Sequence, residues 1–468
     1  MRHEHATQRT LAHRGDARYR GPVTGPNFAV SSRVPWVALA VAVVALALGI
    51  VALTALAPPA SAASSYTLEA RYDVKLHLDW DSRWVDVRTR IDVRNTTGRP
   101  IDRLELNSTA VKLGPYRRLR ARVDGASVRP RVSGQTITVP FAEPLAPGAS
   151  VVVFVGLKSR LAQRAGGRSY YWAKLGGVVQ MYRFIPWVSR RIPFGRGGHG
   201  EPFLTPVSPR VQVTVSADRK LQWATSGRRV ARIDARTFRF VAERVRDFNI
   251  AASPAWRKAS GRSRDGRTRI TALARVHDPA LLVRLARTEL ARYQSLTGVR
   301  YGHKTFTVAE TGGGLAMESP ALIWMPASRS SRDLPYLVSH ETAHQWWYST
   351  VGNDQSTDAF ADEAMADYFS RKARLSIRQS RCPTDRLDRA IRDYSEGCYF
   401  EVIYVQGARF LDKLRRDFGQ ARFMAAVRRY TRDNRDGLGG NVRLLEAMRA
   451  EMGDGVVARF HRRFPSLY

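Results

Sequence analysis

The stretch His340-Glu341-Thr342-Ala343-His344 constrains this chain more than any other. On a helix, imidazoles four residues apart lie on one face. At that spacing two histidines can bind one zinc ion, with Glu341 beside the metal as general base. The flanking residues predict such a helix: Leu337, Val338, Ala343, Trp346 and Trp347 supply an apolar side, and Pro335 sits near its start. A catalytic zinc site takes three protein ligands and leaves a fourth position for water. Nineteen residues beyond His344 lies Glu363, in the helix-forming stretch Phe360 to Tyr368, so a helix–loop–helix would return a third ligand to the metal. The plainer alternative is two amphipathic helices with surface carboxylates and a pair of satisfied histidines.

His340-Glu341-x-x-His344 with Glu363 resembles the aminopeptidase-N family of gluzincin zinc metallopeptidases. Two more segments stand in that family's order. Gly314-Leu315-Ala316-Met317-Glu318-Ser319 is similar to its G-x-M-E-N element, and Tyr404-Val405-Gln406-Gly407 to its Y-x-x-G segment. The resemblance covers the chain from about residue 66 to its end. It implies one zinc per chain held by His340, His344 and Glu363, with Glu341 as base and Tyr404 stabilising the tetrahedral intermediate. It also implies that Glu318, flanked by Ala316 and Met317 in the substrate site, binds the free N-terminal ammonium of a peptide. Departures from the family pattern fall at Leu315, Ser319, Phe360, Asp362 and Ala364. They leave every group needed for catalysis in place. Asp367 is a candidate second partner for a histidine ligand, or else a solvated helix carboxylate. Trp346 and Trp347 read as core.

The fold class that follows is α+β in two domains: an N-terminal antiparallel β-sandwich, residues 66–255, and a thermolysin-like, mainly helical zinc-peptidase domain, residues 256–468. Trp84 to Val93 alternates apolar and polar residues and ends in a turn at Asn95 to Gly98, and similar strands are legible at 101–106, 151–155, 211–215, 230–233 and 238–241. Residues 161–205 read as a long irregular loop, aromatic and glycine-rich, of the sort that carries function. Within it Glu201 is a candidate second anchor for an ammonium, or a loop carboxylate with no ligand. Beyond residue 256, the leucine spacing of Pro279 to Leu296 predicts a helix, and 305–309 and 321–325 read as strands bracketing Gly312-Gly313-Gly314. A sheet edge there would suit pairing with a peptide. Further helices are expected at 410–414, 423–430 and 442–448. Larger members of the family carry another helical domain over the cleft; this chain is expected to lack it.

The formal charge is +35. The excess is spread along the chain without a compact basic run, and it accompanies no nucleic-acid-binding motif, so nucleic acid is not an expected partner. Residues 1–33 have the composition of a disordered, cytoplasmic tail. Val34 to Ala57 is a run of 24 uncharged residues, long enough to cross a bilayer about 30 Å thick as a helix. The Arg residues before it, and the lack of any Lys or Arg after it until Arg71, put the N-terminus inside the cell and the rest outside. A single-pass signal-anchor in the cell membrane is therefore expected, followed by a linker at 58–65. Ala60-Ser61-Ala62 keeps cleavage and secretion open as the alternative. In an exported chain the only two cysteines, Cys382 and Cys398, read as a disulfide, with two unpaired buried thiols as the other reading.

The expected function is a zinc aminopeptidase acting outside the cytoplasm on peptides with a free N-terminus. A membrane-tethered peptide-binding scaffold of little turnover, or a processing endopeptidase, is the alternative.

Overall fold

Strict apolar–polar alternation organises the first half of the molecule. The computed structural model describes residues 68–164, 166–167, 169–189, 205–371 and 382–468. The expected anchor at 34–57, its flanks at 1–33 and 58–65, and Glu201 lie outside them. Among the described residues no helix is long and apolar enough to cross a membrane.

In Trp84–Arg94 every second side chain, from Val85 to Val93, is buried, and the strand pairs along its whole length with Glu69–Asp79 on one side and Ser150–Arg160 on the other. These strands sit in the middle of an eight-stranded sheet. Their inward residues, Val74, Leu76, Val87 and Val153 among them, form one core with Leu104, Leu106, Ile137 and Val139 from a four-stranded sheet. Each such side chain contributes roughly 1.5–3 kcal/mol on burial.

The large sheet is mixed rather than antiparallel. Glu69–Asp79 runs parallel to Ser208–Ala217. Parallel neighbours need a long crossover, and the chain between these two strands builds most of the domain. Residues 161–189 are also more regular than their sequence implies. Trp172–Leu175 and Val178–Met181 form a hairpin in a second four-stranded sheet, and Trp187–Val188 joins the first. Their aromatic residues Tyr171, Trp172, Tyr182 and Trp187 are buried. Short apolar strands without alternation look like loop when glycine and proline surround them.

The second half opens on a five-stranded sheet, so helices do not dominate from residue 256 as expected. Arg257–Arg262 and Arg269–Ala274 precede the two strands legible in the sequence. The first of these is an edge strand with no buried residue, which leaves it no apolar signal. The opposite edge is Met317–Ser319, paired on one side with Leu322–Pro326. Helix Pro279–Thr297 covers the sheet. Asp278 caps its start, and Gly298 ends it in the left-handed conformation at φ 70°. Helices Gly407–Phe418, Gln420–Asp433 and Asn441–Met452 complete the second core, with Trp346 and Trp347 inside it. Packing runs without a break across residue 255: Tyr171, Tyr182 and Ala251 share one cluster with Leu273, Met317 and Trp324. Cys382 and Cys398 form a disulfide, their Cα atoms 5.6 Å apart.

Candidate active site

Helix Leu334–Ala343 carries the two histidines, with Pro335 in its first turn and His344 as its C-terminal cap. Val338, Ala343, Trp346 and Trp347 anchor it in the core. Trp346 donates from its indole to Val299 O at 2.8 Å, and Trp347 to Thr431 Oγ1 at 3.1 Å. The apolar face thus fixes the helix, and the opposite face turns His340, Glu341 and His344 toward helix Glu363–Arg371.

Three donor atoms converge there. His340 Nε2 lies 3.2 Å from His344 Nε2 and 3.2 Å from Glu363 Oε2, and His344 Nε2 lies 3.5 Å from the same oxygen. Ligands about 2.0–2.1 Å from a tetrahedral zinc are themselves roughly 3.3 Å apart, so the three atoms already have the spacing of one zinc ion's ligands. All three side chains are buried. Electrostatics agree with geometry. Glu318, Glu341, Asp362 and Glu363 bring four buried carboxylates to one pocket. Burial alone would lower the pKa of His344, but the facing Asp362 and Glu363 outweigh it and push the imidazole well above its ordinary range. Burial works to raise Glu363, yet hydrogen bonds from His340 and His344 hold it below the usual carboxylate range. The pocket favours a cation, and its donor set fits zinc.

Two of the three candidate ligands, His344 and Glu363, are held by a further hydrogen bond, whereas His340 Nδ1 is buried without a partner among the described residues. His344 Nδ1 donates to Asp362 Oδ1 at 2.7 Å, which leaves Nε2 to face the other donors. This is the role expected of Asp367, whose carboxylate instead accepts from the Tyr336 hydroxyl at 2.6 Å. The reason is position along the chain: Asp362 caps the turn Ala359–Ala361 just before the helix, whereas Asp367 shares the face of Glu363 but lies one full turn farther along. Gln355 Nε2 donates to Glu363 Oε1 at 2.8 Å and so turns the other oxygen toward the histidines. Nothing in the sequence marked Gln355.

Glu341 is buried beside His344, and Glu318 joins them, with one side-chain donor atom of each within 4.8 Å of the others. Burial, then the neighbouring Glu318, pushes the Glu341 carboxyl well above its ordinary range. Burial likewise pushes Glu318 up to about 7. Glu318 lies in the edge strand Met317–Ser319, Met317 is buried and Ala316 half-buried. The Gln345 carboxamide pins this strand: its Nε2 donates to Ser319 O at 2.8 Å and its Oε1 accepts from Ala321 N at 2.9 Å. Upstream, Gly312 passes so close to Leu175 that a Cβ would sit 1.8 Å from its carbonyl oxygen. Gln180 ties the two chains there, accepting from Gly312 N at 2.9 Å. The glycine run therefore admits the protein's own first half against the strand that carries Glu318.

Tyr404 lies in a π-helical segment, Phe400–Gln406, of a sort frequent at functional sites. Its ring stacks on His340 at 5.6 Å between centroids, tilted by 14°. Burial and the Glu363 charge push its phenol well above 10, so the hydroxyl remains a donor.

A scan against protein-family models finds no match, and a search of curated proteins finds none. Solved structures do match. An M1 zinc metallopeptidase from Deinococcus radiodurans superimposes with a TM-score of 0.63 at 20% identity, covering 85% of this chain and 94% of that one. A two-domain M1 zinc metallopeptidase mutant bound to L-arginine gives 0.64 at 19% identity, covering 85% and 94%. A Deinococcus radiodurans mutant bound to a Tyr-Ser-Ala substrate gives 0.61 at 20%, covering 84% and 93%. The chain thus has the two-domain fold of the M1 zinc metallopeptidases, with a β-rich N-terminal part and a helical part behind a five-stranded sheet.

Proposed function

We propose that the protein is a zinc-dependent aminopeptidase, tethered to the membrane by residues 34–57 and acting outside the cytoplasm on peptides with a free N-terminus. The observation that carries this reading is the convergence of His340, His344 and Glu363 at zinc-ligand spacing beside the buried Glu341. Structural neighbours that bind L-arginine or a Tyr-Ser-Ala substrate support it.

Zinc held by His340, His344 and Glu363 would supply a Lewis acid that activates water and polarises the scissile carbonyl. Glu341 accepts the proton of the attacking water and passes it to the leaving amine. Tyr404, kept protonated by its surroundings, donates to the developing oxyanion, a contribution of about 2.7–4 kcal/mol where such donors have been removed. Glu318 pairs with the substrate's ammonium, which sets the first peptide bond against Glu341. The edge strand that carries it offers the peptide backbone a partner. Membrane tethering is supported by the 24 uncharged residues and by the distribution of positive charge around them.

The test is a panel of amino-acid amides and their N-acetylated counterparts, assayed with the full chain in detergent and with Glu318→Ala. The proposal expects cleavage of the free amides only, and most of that activity lost in the variant. Equal cleavage of acetylated substrates by both forms would assign an endopeptidase instead.

A further inference from the structure

The outer face of the eight-stranded sheet carries a groove. Strand Tyr116–Val123 forms one side of it and pairs with Ser150–Arg160 through a ladder that slips between Arg117 and Arg120. Inside that bulge Arg118 holds φ 57°, a left-handed backbone that a residue other than glycine adopts at a cost. Bulges re-aim side chains, and Arg118 lines an open concavity of about 700 Å³ on the sheet's wet face.

Strand register fixes what surrounds it. One row across four neighbouring strands carries Lys75, Arg88, Gly156 and Arg120, and the next carries Asp73, Arg90, Phe154 and Arg122. Their sequence neighbours Val74, Val87, Val155 and Ala121 are in the core, so alternation turns the charged residues outward, where Lys75, Arg88, Arg90, Arg120 and Arg122 are exposed. Gly156 leaves the middle of the groove open. Arginines on Trp84–Arg94 and on Tyr116–Val123 therefore form two rails roughly 10 Å apart, with cations every 6.5 Å or so along each. Asp73 and Asp86 are the acids among the described lining residues. Arg88 leans on Asp86 at 3.1 Å and Arg90 on Asp92 at 2.7 Å. The side chains of Lys75, Arg118, Arg120 and Arg122 make no ion pair or hydrogen bond among the described residues. Like charges facing across strands, as Lys75 and Arg88 do, are destabilising until an anion lies between them. The arginine excess is diffuse in the sequence, and the fold gathers this part of it.

We propose that the groove binds an extended phosphodiester polymer by its backbone charge, with the chain running along Ser150–Arg160 between the two rails. Such a polymer repeats its charge over about six backbone bonds, as alternate residues of a strand do. The arginine fork matches phosphate oxygens. A trough suits a single chain better than a lipid surface, whose headgroups would meet only its rims. The site stands on its own geometry and not on the aminopeptidase reading.

The experiment is anisotropy of a fluorescent abasic oligonucleotide, a phosphodiester chain without bases, titrated with the full chain in detergent at about 50 and about 200 mM salt. Beside the wild type stand the groove variant Arg118→Gln/Arg120→Gln/Arg122→Gln and a control of equal charge, Arg287→Gln/Arg300→Gln/Arg422→Gln. All these side chains are exposed, so both variants should unfold thermally as the wild type does. Affinity should fall by about tenfold or more in the groove variant and stay within about threefold in the control. At about 0.7 per phosphate contact, the slope of log affinity against log salt should become shallower by about two in the groove variant alone. Equal losses in the two variants, or no binding to the wild type, would overturn the assignment. So would a preference for anionic over neutral vesicles that the groove variant loses, in a chain that ignores the oligonucleotide.

Discussion

Removal of the Asp362 carboxylate isolates the support of one metal ligand. The residue is fully buried, and its Oδ1 accepts from His344 Nδ1 at 2.7 Å, a length typical of a charge-assisted bond. Such bonds contribute about 1.5–3 kcal/mol net, which corresponds to roughly 10- to 150-fold in an equilibrium constant. Loss of an outer partner of a metal-bound histidine typically costs about 10–100-fold in metal affinity, the same range. Asp362→Ala should therefore weaken zinc by that factor in a competition titration with a chromophoric chelator. Asp362→Asn keeps an acceptor for Nδ1 and loses only the charge, so it should fall between the wild type and Asp362→Ala. Asp367→Asn, whose carboxylate engages Tyr336, should lose less than Asp362→Ala. Zinc affinity within about threefold of wild type in Asp362→Ala, well under one such bond, would refute a supporting role.

Gln345→Ala frees the strand that carries Glu318 by removing two hydrogen bonds, and should raise KM for amino-acid amides by roughly tenfold with a smaller change in kcat. Gly312→Ala places a Cβ against the Leu175 carbonyl, and thermal unfolding should show a loss of about 1–3 kcal/mol or more. Reduction of the disulfide, which spans 16 residues, should lower stability by about 3 kcal/mol in a denaturant titration. Burial lowers the pKa of His303 to about 4, below its unfolded value of 6.5, so its neutral form belongs to the fold. Its contribution is complete above pH 6.5 and declines as the pH falls toward about 4; the decline should be shallower in His303→Gln when stability is followed across that window.

The sequence carried the site better than the scaffold. His340, Glu341, His344 and Glu363 are legible because helical periodicity turns their spacing into geometry, and the apolar residues around Trp346 say which face is buried. Trp84 to Val93 is legible because one face of its sheet is wet. The parallel pairing of Glu69–Asp79 with Ser208–Ala217 is not, since strand direction depends on contacts more than 130 residues apart. Short strands such as Trp172–Leu175, buried along three of their four residues, lose alternation altogether. Asp362 and Gln355 escaped for another reason: a supporting hydrogen bond is made by whatever side chain the loop brings near, and spacing alone does not single it out. In the sequence Asp362 stands out only as a departure from a family pattern, and its contact with His344 gives that departure a physical role.

The measurement that most directly tests the site is zinc content per chain, read by mass spectrometry alongside cleavage of a free amino-acid amide, for the wild type, Glu341→Gln and Glu363→Ala. Zinc bound by His340, His344 and Glu363 with Glu341 as base predicts one zinc and activity in the wild type. It predicts one zinc without activity in Glu341→Gln, and loss of both in Glu363→Ala. A wild type that binds no zinc, or a Glu363→Ala variant that holds it as tightly, would contradict the assignment.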